Sequence, residues 1–146
     1  MSNVKTILSK KTSELWSIDP DAMVLEAIKI MADKNVGALT VVKDEKLVGI
    51  ISERDYTHKV ILNNRASNET HVKDIMSRQV FYTHPEQNID ECMILMSEHR
   101  IRHLPVLENE KLLGMISIGD VVKEIINDQK YTIKQLENYI SWEENY

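Results

Sequence analysis

The sequence predicts an α/β (α+β) fold of two pseudo-symmetric halves, each running strand, helix, strand, strand, helix, with a C-terminal helical tail. Three observations carry this. The stretch Glu45-Lys46-Leu47-Val48-Gly49-Ile50-Ile51-Ser52-Glu53-Arg54-Asp55 returns without a gap, 65 residues later, as Glu110-Lys111-Leu112-Leu113-Gly114-Met115-Ile116-Ser117-Ile118-Gly119-Asp120. The same offset pairs Pro20 with Pro85, Glu26 with Glu91, Met31 with Met96, Leu39 with Leu104 and Val41 with Val106, so the duplication spans a whole folding unit. Two copies of so long a unit fit paired half-domains, because a solenoid needs three or more short repeats. Helical and β-branched segments then alternate in the same order in each copy.

Val4-Lys5-Thr6-Ile7-Leu8 matches Val72-Lys73-Asp74-Ile75-Met76 at an offset of 68, so each half opens with a short helical lead-in. Ser9 to Ser13 reads as a loop and Leu15 to Ile18 as a strand. Asp19-Pro20 reads as a helix cap and first turn. From Ala22 to Lys34, Val24, Ala27, Ile28 and Met31 recur at three- and four-residue steps, the period of a helix with one buried face. Asn35-Val36-Gly37 ends it. Ala38 to Val42 and Leu47 to Ile51 are β-branched runs around a polar turn, hence a hairpin. Ser52 to Leu62 is the next helix, with Tyr56, Val60 and Ile61 inward. Asn63 to Thr70 is polar without apolar period and reads as the linker. The second half repeats the order: strand Val80 to Thr83, helix Pro85 to His99 with Ile89, Met93 and Met96 inward, strands His103 to Leu107 and Leu112 to Ile116, and a helix from Ser117. Ile125, Ile126, Ile133, Leu136 and Ile140 continue an apolar spacing that the first half lacks. This tail, with Trp142 and Tyr146, is expected to pack on the body or on another copy. The organisation is therefore repeat 1 over 1–62, linker 63–70, repeat 2 over 71–128 and tail 129–146.

A chain of 146 residues is one ordinary domain. A half of about 60 residues buries too little surface to be robust alone, so the halves are expected to share one core. Net charge is −5 with both signs interspersed, which argues against a nucleic-acid surface. Cys92 is the sole cysteine, so an intramolecular disulfide and a multi-thiolate zinc site are excluded, and its place on a helical apolar face makes it core. His58, His71, His84 and His99 lack metal-ligand spacing, and four glycines form no phosphate-binding loop. No run of about 18 apolar residues occurs. The expectation is a soluble cytoplasmic protein, without nucleic-acid or membrane partners.

Ser52-Glu53-Arg54-Asp55 and Ser117-Ile118-Gly119-Asp120 each stand where a strand hands over to a helix. Ser-x-x-Asp is close to a capping box, a purely structural device. The same junction also presents amides and a positive dipole end to an anion, while a carboxylate one turn in accepts hydrogen bonds from sugar hydroxyls. Duplication over a whole unit favours the second reading. Strand, Pro, helix, then Leu104-Pro105-Val106, then Gly-x-Ile-Ser-x-x-Asp, all twice, resembles a pair of cystathionine-beta-synthase (CBS) domains over about residues 1 to 128. Glu53-Arg54-Asp55-Tyr56 and Arg100-Ile101-Arg102-His103-Leu104-Pro105 resemble small stand-alone members. The resemblance implies sheet-to-sheet packing into a Bateman module and pairing into disc-like dimers. It implies two clefts for adenine nucleotides or relatives: AMP, ATP, NAD or S-adenosylmethionine, with no metal required. It assigns Asp55 and Asp120 to ribose hydroxyls, and Ser52 and Ser117 to the phosphate or ribose beside them.

The clefts are expected to be unequal. Pro105 is a candidate ligand contact whose place Thr40 takes in the other half, and Gly37-Ala38, candidates in the first half, correspond to Arg102-His103. Arg102 and His103 supply charge and donors to phosphate, whereas Gly37 and Ala38 leave backbone and space for a base. Arg54 and Lys59 are phosphate candidates, with an exposed helix face the equal alternative, and Thr83 is a candidate backbone contact to a base. The favoured function is an adenosine-nucleotide sensor, a homodimer that acts in trans on a regulated protein. A phosphate-transferring enzyme with Asp55 or Asp120 as base lacks a metal cluster and a paired acid and base, so no enzymatic activity is expected. A scaffold with unused clefts and a docking tail is the alternative.

Overall fold

The computed structural model describes residues 2–11 and 15–144, with side chains to residue 143. Thr12, Ser13 and Tyr146 of the sequence expectations lie outside the described residues. The chain runs α1 (Val4–Lys10), β1 (Ser17–Ile18), α2 (Val24–Lys34), β2 (Ala38–Lys43), β3 (Lys46–Ser52), α3 (Glu53–Tyr56) continuing as a π-helical turn (Thr57–Ile61), α4 (Val72–Ile75), α5 (Ile89–His99), β4 (His103–Glu108), β5 (Lys111–Ser117) and α6 (Ile118–Glu144). The mixed α/β class and the two-fold repetition are as the sequence predicts.

Corresponding residues build corresponding parts. α2 buries Val24, Ala27 and Met31, and α5 buries Ile89, Cys92 and Met96. Asn35 and Arg100 end these helices in the left-handed conformation, φ 54° and 53°. Each hairpin turns through two residues of positive φ, Asp44-Glu45 and Asn109-Glu110, the twist that matches right-handed strands. A bulge follows at Val41/Val42 and again at Val106/Leu107.

The halves do not share one core as expected; there are two, each completed by the other half's lead-in. Val72, Ile75 and Met76 pack with Val24, Ala27, Met31, Leu39, Val41 and Ile51. Val4 and Ile7 pack with Ile89, Cys92, Met96, Leu104, Val106 and Ile116. Backbone bonds fix the exchange: Val72 N–H to Ala22 C=O and Lys73 N–H to Pro20 C=O, matched by Val4 N–H to Gln87 C=O and Lys5 N–H to Pro85 C=O, all 2.9 Å.

That exchange also explains why two helices start late. Asp19-Pro20 does not cap α2: the Asp19 carboxylate accepts from Asp21 N–H at 2.8 Å, Ala22 N–H closes a turn onto Asp19 C=O at 3.1 Å, and an extended Met23 follows before the helix begins. Its backbone groups there are used by the docking lead-in, and Val24 N–H donates to Thr70 C=O at 2.8 Å. Pro85 to Asn88 behaves likewise. The polar stretch 63–70 is tied down by Leu25 N–H to Ser67 C=O and by the Thr70 hydroxyl on Ala66 C=O.

Other boundaries moved for identifiable reasons. Ser9 and Lys10 are helical rather than loop. The strand expected at Leu15 to Ile18 keeps only Ser17–Ile18, parallel to Thr40 and Val41. Val80 to Thr83 reduces to a single bridge, Thr83 to Val106. Pro105 stands where Thr40 stands and has no N–H to extend that ladder. Ile61 is exposed, one step beyond buried Val60. Met93 is only half-buried. The tail is one continuous helix with α6, and it does not pack on the body: Ile133, Leu136 and Ile140 face solvent.

Gly49 and Gly114 mark where each lead-in presses on a β-strand. A Cβ at Gly49 would lie 2.6 Å from Met76 Sδ and 3.0 Å from the Ser77 carbonyl oxygen; at Gly114 it would lie 3.0 Å from Leu8 Cδ2 alone. A side-chain tip moves aside more cheaply than a paired backbone carbonyl. Gly49→Ala should therefore destabilise the protein by about 1–3 kcal/mol and Gly114→Ala by clearly less. Urea unfolding of the two variants checks the order; equal losses would contradict it.

Candidate functional site: two clefts related by the repeat

Two clefts lie between the halves, and the repeat maps one onto the other. The first is lined by Leu8, Lys11, Leu15, Trp16, Val36, Ala38, Leu113, Gly114 and Met115. The second is lined by Ile50, Ser77, Arg78, Gln79, Phe81, Ile101 and His103. Trp16 corresponds to Phe81, Val36 to Ile101, Ala38 to His103, Ile50 to Met115 and, in the lead-ins, Lys11 to Gln79. Each cleft thus takes a lead-in, an aromatic segment and a strand start from one half, and a hairpin strand from the other.

The aromatic residue has the same support in both. Lys34 Nζ sits 4.4 Å from the Trp16 ring centroid, and His99 stacks on Phe81 at 3.8 Å. Lys34 and His99 are also repeat equivalents, each at the C-terminal end of its helix. A ring backed on one face and lining a cleft is a platform on which a flat heteroaromatic base packs.

A Ser-x-x-Asp turn ends the second strand of each hairpin: the Ser117 turn meets Lys11, which lines the first cleft, and the Ser52 turn follows Ile50, which lines the second. Ser52 N–H donates to Asp55 Oδ2 at 2.9 Å and Asp55 N–H to Ser52 Oγ at 3.2 Å. Ser117 and Asp120 repeat this at 2.8 and 3.1 Å. The capping box is therefore real, and it holds each carboxylate in one orientation. Each Asp also meets a lysine from a different source. Lys59 Nζ lies 3.0 Å from Asp55 Oδ1 within the same helix and donates to Ile75 C=O at 2.8 Å. Lys11 Nζ, from the lead-in of the first half, donates to Asp120 Oδ2 and to Met115 C=O, both at 2.8 Å.

The expected site residues divide. Ala38 lines the first cleft and His103 the second, whereas Ser52 with Asp55 and Ser117 with Asp120 line neither and stand at the adjoining strand-to-helix junctions. Gly37 N-terminal to Ala38 touches the partition between them: a Cβ there would lie 3.2 Å from His103 Cε1. Arg54 and Arg102 are exposed, with the Arg102 carbonyl accepting from Ile118 N–H at 2.8 Å. Thr83 is a correction. It is buried, its N–H and C=O are paired with Pro105 and Leu107, and its hydroxyl lies 3.5 Å from Cys92 Sγ, so it offers a base nothing. Pro105 is a second: it is buried in β4 opposite Met115 and lines neither cleft. Lys11, Trp16, Phe81, Arg78 and Gln79 were not anticipated. Aligning the two copies beyond the motif would have found Trp16 and Phe81, two aromatics in one register.

The clefts differ in room and charge. The first encloses 160 Å³ and the second 330 Å³, against about 300 Å³ at the small end of ligand pockets. The second therefore offers the more room for a ligand. Burial pushes the His103 imidazole below its ordinary value of 6.5; Lys11 and Arg102 act in the same sense and Asp120 opposes them. Burial alone would raise the Asp120 carboxyl, but hydrogen bonds from Lys11 and Ser117 hold it below 3.8.

For His103 the unfolded chain binds the proton more tightly, so its contribution is whole at neutral pH and is lost as pH falls through about 6.5. Asp120 contributes above 3.8 and loses that contribution as pH falls further. The melting temperature should drop between pH 7.5 and 5.5, and His103→Gln should flatten this part of the profile. Parallel profiles for the two proteins would contradict the assignment.

Comparison with known proteins agrees with this geometry. The CBS domain family model matches residues 4–61 and 72–127. A mitochondrial CBS domain-containing protein of Arabidopsis thaliana, CBSX3, is 41% identical over 133 residues, which are 88% of this chain and 64% of that protein. This chain thus spans less than two thirds of that relative. A CBS-domain protein from Burkholderia ambifaria is 48% identical, with a TM-score of 0.85 over 88% of this chain and 96% of its own. The CBS domain pair of protein MJ0100, in complex with 5′-methylthioadenosine and S-adenosyl-L-methionine, is 26% identical, with a TM-score of 0.77 over 88% of this chain and 98% of its own. With both matched segments falling on the two halves that build the clefts, the chain belongs to the CBS domain family, as a tandem CBS pair.

Proposed function

We propose that this protein is a regulatory module that binds an adenosine-containing ligand of the AMP, ATP, NAD or S-adenosylmethionine class and signals to a partner protein in trans. The observation that carries this reading is a repeated one: a backed aromatic ring lines each cleft, and a pre-oriented carboxylate stands at the strand-to-helix junction beside it, Asp120 joined to the first cleft through Lys11 and Asp55 following Ile50 of the second. The ring packs against the base and the carboxylate accepts from the ribose hydroxyls. The likeness to a CBS pair complexed with two adenosine derivatives supports the same ligand class.

The second cleft fills first in this reading. It is the larger, and Arg78, His103 and exposed Arg102 bring donors and positive charge near a phosphate. Asp55 needs only to exchange Lys59, an intrahelical partner, for ligand hydroxyls. The first cleft has a built-in competitor, because Lys11 occupies Asp120. A ligand there displaces Lys11 from both Asp120 and Met115 C=O, which loosens the end of α1 from β5. α1 is also tied to α6 through Lys10 on Glu124, as is the residue pair before it through Ser2 on Asp128, so the disturbance reaches the helix that leaves the body. A coupling of about 1–3 kcal/mol is enough for regulation. No metal and no catalytic step is required, and a reducing compartment such as the cytoplasm suits the single buried thiol.

The alternative is a scaffold whose clefts stay unused. It is favoured by one fact: both carboxylates are already satisfied without ligand. A thermal-shift panel of AMP, ADP, ATP, NAD, NADH and S-adenosylmethionine separates the two, on the wild type and on Asp55→Asn and Asp120→Asn, which keep an oxygen for the cap. Ligand at a hundred times its dissociation constant adds about 2.7 kcal/mol. The sensor gives a shift for at least one compound, reduced first by Asp55→Asn. No shift from any compound, in protein free of carried-over nucleotide, favours the scaffold.

A further inference from the structure

α6 leaves the body after its first eleven residues. Val121 and Glu124 are buried and Ile125 and Asp128 partly so, whereas every side chain from Gln129 to Glu143 is exposed. That exposed stretch is about 20 Å of helix. Helix that packs on nothing draws no stability from tertiary contacts, so a partner on this stretch would stabilise it. Its apolar residues follow coiled-coil spacing. Ile126, Ile133 and Ile140 recur every seven residues, and Val122 and Leu136 take the intermediate core position, with polar Gln129 and Glu143 between and after them. Ile133, Leu136 and Ile140 are 55–57% exposed, so the seam faces solvent.

We propose that this seam pairs with α6 of a second copy of the chain, and that the two helices run antiparallel. With Ile133 opposite the partner's Leu136, the charge on the seam is complementary to the same seam reversed. The seam's flank carries Lys130 and, one heptad on, Glu137. In an antiparallel pair these flanks face each other, so Lys130 meets the partner's Glu137 twice by symmetry. A parallel pair would set this flank against Thr132 and Tyr139, which carry no charge, and Glu143 against itself. Antiparallel pairing centres an apolar cluster of Ile133 and Leu136 and leaves Gln129 and Glu143 to outer layers. Five half-exposed large side chains per helix, Ile126, Ile133, Leu136, Tyr139 and Ile140, bury on the order of 1,000 Å² in total, the lower edge of a stable interface.

This pairing stands apart from nucleotide binding and is tested without ligand. Sedimentation velocity on the full chain at low salt should show a dimer. Lys130→Glu and Glu137→Lys should each weaken it by about tenfold in dissociation constant, and the double reversal should restore it. Ile133→Asp with Leu136→Asp should give monomer of unchanged fold by circular dichroism of the body's strands. A monomeric wild type, a dimer indifferent to the Ile133 and Leu136 changes, or a double reversal as weak as the single ones would overturn the proposal; the last outcome would mean a different partner or orientation for the seam.

Discussion

Everything in this molecule depends on the reciprocal docking of two short lead-ins. Residues 2–10 hydrogen-bond to the segment before α5, and residues 70–76 to the segment before α2, with the same backbone atoms used in each case. The apolar faces that follow, Val4 and Ile7 on one side and Val72, Ile75 and Met76 on the other, close cores to which they do not belong in sequence. A half of about 60 residues buries too little surface to be robust alone. Exchange solves that shortage without merging the cores. It also makes the clefts, because a lead-in that crosses to the opposite half must pass over that half's hairpin, as Lys11 does over Met115.

Within this symmetric frame a few substitutions make the two clefts chemically unequal. Lys11 against Gln79 decides whether a motif carboxylate has an intruding cation. Ala38 against His103 decides how much bulk and polarity stand at the strand start, and Gly37 makes room for the imidazole at the partition. His103 therefore lines one cleft while feeling Lys11 and Asp120 of the other. The repeat supplies two similar sites; these residues stop them from being the same site twice.

The sequence disclosed most of the fold because local and tertiary signals agreed. The 65-residue offset, the period of Val24, Ala27 and Met31, and the β-branched hairpins all describe elements stabilised from within. It misled where a distant segment supplied the hydrogen bonds. Asp19-Pro20 has the composition of a helix start, yet the backbone there is occupied by residues 70–73. Val80 to Thr83 has the composition of a strand, yet its neighbour is Pro105. For the clefts, Ser52, Asp55, Ser117 and Asp120 were legible as a repeated motif. Lys11 and the aromatic pair were not, because their part in the site follows from which half each lead-in crosses to, and no local pattern encodes that.

The exchanged lead-ins also set an order of assembly. As the chain is synthesised, residues 17–61 emerge before Val72, Ile75 and Met76, so the first core waits, incomplete, for half of the chain to appear. Ser2 and Lys10 wait longer still, since their partners Asp128 and Glu124 lie more than a hundred residues away. The entropy of closing such long loops rises only slowly with their length, but the contacts are non-local and form late. A nascent chain cut after the first repeat would thus expose the apolar groove meant for residues 72–76. The two halves are committed to one another before either is finished.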